Sequence, residues 1–244
     1  MTSRSLLPCF IALCLLCPSV FAQEAAKPTP SEDVDLSGLL KETQQSASEA
    51  GYFGLVWWIP TEYWEISLEK GGFSADKAKE HYAPLKKYTV VAVALGKMGI
   101  GNINWLPETD IRDNLRLRDS EGNLYPPVQK LSGDAEGLVS VLKPVFSNIL
   151  GTMGQNLVLL FFPSVNKMAK PIADPLAPGN FAVVLSKLVE GKDKVFEWKL
   201  PLTSLSPPKY CPVGKERLQS NWKYCPWHGV KLDEPTPVAA PPAK

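Results

Sequence analysis

The stretch "YTVVAVALG", residues 88–96, decides how the rest of the chain is read. Larger side chains at Val91, Val93 and Leu95 alternate with Ala92 and Ala94. That period of two, rich in β-branched residues, belongs to a strand rather than a helix. Working outward, "YFGLVWWIP" (52–60) is an apolar, aromatic strand ended by Pro60, and "QNLVLLFFP" (155–163) is a second buried run. "NFAVVLSKLV" (180–189), the polar turn "EGKDK" (190–194) and "VFEWKLPL" (195–202) read as a hairpin. In "NLRLRDSEGNLYPPV" (114–128), Leu115 and Leu117 share one face and Arg116 and Arg118 the other, with a turn at Asp119–Gly122. Six or seven strands joined by turns, without strand–helix alternation, predict an antiparallel sandwich rather than a parallel α/β sheet.

Helical segments interrupt this pattern. Residues 37–50 predict a helix with a thin apolar face that packs loosely. Residues 62–72 predict a short helix capped by Thr61 and stopped at Gly71–Gly72, and residues 75–88 another, capped by Ser74 and broken at Pro84. "DAEGLVSVLKPVFSNILG" (134–151) predicts an interrupted helix.

The order "strand; L-R-D-x-x-G-x-x-Y; helical insertion; L-L-F-F-P; strand; hairpin; F-x-W-x-L-P-L" resembles the small immunoglobulin-like domains of secreted bacterial proteins. The resemblance covers about 88–205 and implies a mainly β (α+β) fold, an immunoglobulin-like antiparallel β-sandwich used for binding or support without catalysis; with its helical insertions the domain is expected over 52–205.

The ends of the chain point to export. Residues 1–22 carry Arg4, an apolar run from Leu6 to Leu16, Pro18, and small residues Val20 and Ala22, the layout of a secretory signal peptide. That run is too short to span a bilayer, so no transmembrane segment is expected in the mature chain, and a periplasmic or secreted location follows. Residues 23–51 read as a flexible leader and helix, and 233–244 as a disordered Pro/Ala-rich tail. Without Arg4, 25 Lys+Arg balance 25 Asp+Glu. A neutral chain gives no electrostatic case for nucleic acid; the partner expected is an envelope protein or a glycan.

Cleavage would also remove Cys9, Cys14 and Cys17, leaving Cys211 and Cys225. These lie in a doubled motif, "KYCPVG" (209–214) and "KYCPWHG" (223–229). Paired C-P-x-C-G knuckles hold zinc, and the segment 206–232 resembles a degenerate zinc ribbon whose first copy lacks its second ligand. Zinc on Cys211, Cys225 and His228 has three protein ligands, and closing it needs His81, Asp233 or Glu234. The alternative is a disulfide between Cys211 and Cys225, favoured by an oxidising export route and worth about 3 kcal/mol for a loop of roughly 15 residues. The disulfide is the expectation here, with no cofactor; zinc is the alternative. Trp222 and Trp227 are expected to build the mini-core of so small a module.

Elsewhere chemistry is sparse. No catalytic residues are assigned. "GKMGIG" (96–101) lacks phosphate-loop spacing and reads as a glycine turn. Glu62, Glu65 and Glu69 share a helical face and read as solvated. Trp57, Trp58, Tyr63 and Trp64 make either core or a stacking platform for sugars, the basis of an alternative reading as a carbohydrate-binding module or hydrolase.

Overall fold

The computed structural model describes residues 34–48, 51–189, 191–220 and 222–232. Residues 1–22, read above as a signal peptide, the first part of the expected leader and the expected tail lie outside the described residues. Helices α1 (Leu36–Thr43), α2 (Thr61–Lys70), α3 (Ala75–Tyr82), α4 (Glu108–Asn114), α5 (Gly133–Leu150) and α6 (Thr152–Gln155) accompany two larger antiparallel sheets and one two-stranded ribbon. The first sheet contains β1 (Gln44–Ser46), β2 (Tyr52–Ile59), β3 (Tyr88–Met98), β4 (Ile103–Trp105) and β7 (Val158–Pro163). The second runs β6 (Leu124–Tyr125), β5 (Leu115–Arg118), β8 (Gly179–Val189) and β9 (Lys192–Leu200), in that order. The fold is α+β with antiparallel strands, as the alternation of the sequence predicts.

The stretch 88–96 is the spine. Along one edge of β3, β2 pairs from Ile59↔Val90 to Tyr52↔Lys97. Its other edge is shared: β7 takes Tyr88 to Val93, and β4 takes Gly96 to Met98. Gly99 and Gly101 lie in the β3–β4 turn, where the Gly99 N–H donates to Asn102 O and Gly101 has φ +79°.

Both faces of this sheet are covered. Val91, Val93 and Leu95 join Trp58, Leu160 and Phe162 in one cluster with Leu115, Leu117, Phe181, Val183, Phe196 and Trp198 of the second sheet. Val90, Ala92, Ala94, Trp57, Leu159 and Phe161 form another cluster with Trp64 and Tyr82 of α2 and α3, and Leu142 and Phe146 of α5. The small alanines on this side let helices approach. The result is three layers, helices over one sheet over the other, which explains why β7 and the Val90–Leu95 run of β3 are apolar at every position rather than alternating with polar residues.

Two segments depart from expectation. The predicted helix over 37–50 ends at Thr43, and the chain continues as β1, paired with β2. It packs closely: Val34, Leu39, Thr43 and Ala47 are all buried. Thr43 explains why. Its Oγ1 donates to Leu39 O (2.8 Å) and accepts from Trp57 Nε1 (3.2 Å), while its carbonyl accepts from Trp198 Nε1 (3.2 Å). One residue thereby satisfies two buried indoles, one in each cluster. Likewise α5 runs unbroken through Pro144, because tertiary packing of Leu142 and Phe146 outweighs one lost backbone hydrogen bond.

Candidate metal centre

The doubled motif folds into two superposable turns. A two-stranded ribbon, β10 (Lys209–Tyr210) against β11 (Arg217–Leu218), carries the first. In it, the Cys211 N–H donates to Glu216 O (3.0 Å) and the Lys215 N–H to Cys211 O (2.9 Å). In the second, the Cys225 N–H donates to Val230 O (2.8 Å) and the Gly229 N–H to Cys225 O (2.8 Å). Both turns place the fifth residue in the left-handed region, Lys215 at φ 63° and Gly229 at φ 64°. Matching hydrogen bonds and matching left-handed positions mean that the sequence repeat is also a backbone repeat. Cys211, Cys225, Leu218 and Leu232 are buried together at the junction, with Trp222 packed against them. Trp227 is 65 % exposed, so the mini-core uses one tryptophan of the expected pair.

The repeat brings four donors together. His228 Nδ1 lies 3.3 Å from Cys211 Sγ, 3.5 Å from Cys225 Sγ and 3.9 Å from Glu216 Oε2. Donor atoms of Cys211, Glu216, Cys225 and His228 all fall within 4.8 Å of one another. Tetrahedral zinc, with bonds of about 2.0–2.3 Å, needs its donors roughly 3.3–3.8 Å apart, so a small contraction suffices. The buried Glu216 Oε2 has no hydrogen-bond partner. An orphaned carboxylate oxygen beside two sulfurs is costly unless a cation meets it. Burial works against a Cys225 thiolate, but backbone N–H groups of His228 and Trp227, the His228 ring and Cys211 outweigh it and lower the thiol's pKa. The turn thus prepares the sulfur as an anionic ligand.

Compared with known protein families, curated proteins and solved structures, the chain matches none.

The expected disulfide is not formed in this geometry: Cys211 and Cys225 are not bonded to each other. The two sulfurs are arranged around the His228 ring nitrogen rather than at the roughly 2.05 Å of an S–S bond. The sequence grouped Cys211, Cys225 and His228, which do lie together, and gave no sign of Glu216 beside them. His81, considered as the closing ligand, instead sets its ring edge against Phe73 at 5.3 Å; Asp233 and Glu234 lie outside the described residues. Glu216 was concealed because it lies five residues after Cys211, where a knuckle has no ligand, rather than three.

The aromatic platform resolves as core. Trp57, Trp58 and Trp64 are buried and Tyr63 is half-buried. Trp58 meets Phe181 edge-to-face at 4.5 Å, Trp57 meets Tyr63 at 5.3 Å, and Trp64 stacks on Tyr82 at 5.1 Å. Adjacent Trp57 and Trp58 point to opposite faces, and the third layer makes both faces interior. A sugar has no indole face here to stack on.

The acidic row also differs from a plain solvated face. Glu65 pairs with Lys86 at 2.9 Å. Glu62 lines a cleft of about 300 Å³ with Thr61, Lys86, Ser164 and Asp174. Burial pushes the Glu62 carboxyl up, with Glu65 and Asp174 adding repulsion. Among the described residues, the group around Cys211 is the one that meets a metal's spacing.

Proposed function

We propose that this chain is a non-catalytic binding or support protein of the bacterial envelope, exported to the periplasm or beyond, with a C-terminal module that holds one zinc ion. The orphaned Glu216 Oε2 among Cys211, Cys225 and His228 carries the zinc reading. Two thiolates, an imidazole and a carboxylate are a donor set suited to zinc. Four protein ligands close the coordination sphere, the arrangement of structural rather than catalytic sites. The metal would supply what this segment cannot: four buried side chains are too few to order two short turns unaided. The antiparallel core over 52–205, which we take to be of the immunoglobulin-like kind, is the scaffold that presents the module to a protein or glycan partner.

Chelation tests this. Adding a strong chelator to the purified full chain should release one equivalent of zinc and change the fluorescence of Trp222 and Trp227, with reversal on adding zinc back. Indifference of the fluorescence to both chelator and zinc would contradict the proposal.

A further inference from the structure

We propose that Glu216 stands in for the ligand missing at position 214 and is the releasable member of the set, so that the bound metal accepts a small monodentate anion in its place. This rests on the zinc reading above and adds a binding activity to it.

In the second turn the ligand three residues after the cysteine is His228; in the first turn that position is Gly214. A Cβ at Gly214 would collide with both carboxylate oxygens and Cδ of Glu216. The carboxylate therefore fills the volume that a side-chain ligand at 214 would need. Glycine at 214 is what admits it.

The carboxylate is also the donor whose departure disturbs least. The sulfurs are fixed: Cys211 and Cys225 are buried, and the Gly214 N–H lies 3.5 Å from Cys211 Sγ. The Glu216 side chain is 39 % exposed. Its backbone carbonyl, not its carboxylate, holds the turn, by accepting from the Cys211 N–H. Swinging the carboxylate out therefore breaks no hydrogen bond of the knuckle. An oxygen donor is the weaker partner for an ion otherwise held by soft thiolates. In the exchange, the metal–oxygen bond to Glu216 breaks, a metal–anion bond forms, and one negative charge replaces another, so no redox partner is needed.

Cobalt-loaded full chain tests this, since its visible absorption reports the ligand set. Azide should shift the wild-type spectrum saturably. It should leave the double variant G214C/E216A, in which a thiolate closes the sphere, unchanged. Separately, E216A should bind cobalt at least about 10-fold more weakly, the lower end of what loss of even an outer partner causes, and acetate should restore the affinity. If wild-type protein takes up no cobalt, the zinc reading falls and this inference with it. If cobalt binds but azide leaves the wild-type spectrum unchanged, or acetate does not rescue E216A, the zinc reading stands and this inference is overturned.

Discussion

At the scale of single residues, the protein relies on a few polar groups that each satisfy several partners. Thr43 serves two indoles, but T43V removes only the hydroxyl and so orphans the Trp57 N–H while the carbonyl still accepts from Trp198; it should cost about 1–3 kcal/mol, the penalty for one orphaned buried donor, as denaturant unfolding measures. Asp119 is buried in the β5–β6 turn and accepts from the backbone N–H groups of Glu121 and Asn123 and from the Tyr125 hydroxyl at 2.6 Å. Burial opposes its charge, but those hydrogen bonds prevail and hold its carboxyl below the ordinary value of 3.8. A depressed folded-state pKa means the stabilisation is complete above the ordinary carboxylate value. It is lost as pH falls below that value through the folded one. The Tyr125 hydroxyl, chiefly through Asp119, is pushed up to about 12. Its contribution is complete below the ordinary 10 and is lost as pH rises from there through about 12. Stability of D119N should therefore approach that of the wild type in acid and fall short of it near neutrality, as midpoints across pH will show. The cysteines give a third expectation. Metal-free protein treated with a disulfide oxidant should lose both thiols of the Cys211–Cys225 pair to a bridge, while zinc-loaded protein should keep them, as thiol titration will show.

At the scale of elements, local pattern is legible where it is long and repeated. The runs at 52–60, 88–96 and 155–163 became strands because their apolar periodicity extends over several residues. β1, β4 and α4 were not foreseen, since each is short and has its place set by tertiary pairing. For α1 the signal was present but under-read: Leu39 and Thr43 lie on one helical face, and their partners are Trp57 and Trp198, far along the chain. Close approach between elements is equally hidden. A Cβ on Gly154 of α6 would lie within 2.6 Å of the Phe146 carbonyl carbon in α5. Phe146 in turn meets Trp57 at 5.7 Å and Trp64 at 6.0 Å. G154A should therefore push α6 from α5 and cost about 1–3 kcal/mol, as overpacking does; near-ultraviolet circular dichroism should record the disturbed aromatic cluster.

At the scale of the whole molecule, two kinds of stabilisation coexist. The layered core buries large aromatic and aliphatic side chains on both sides of β3, whereas the module at 206–232 has a handful of apolar groups and a set of metal donors. Removing metal should therefore disorder the module and leave the midpoint of the main thermal transition in place. No helix among the described residues is long and apolar enough to cross a membrane. The three layers were only partly readable, because a strand buried on both faces looks alike whether its second cover is a sheet or helices. The module shows the same limit. The repeat "KYCP" marked the two turns, but a carboxylate folding back into the space over Gly214 leaves no signature in spacing. The central claim is that this space belongs to a metal centre, and the most direct measurement is the mass of the full chain under native and denaturing conditions. One zinc per chain, lost on denaturation to leave two free, reduced thiols, is the predicted result. A metal-free chain two daltons lighter before reduction than after it would contradict the account.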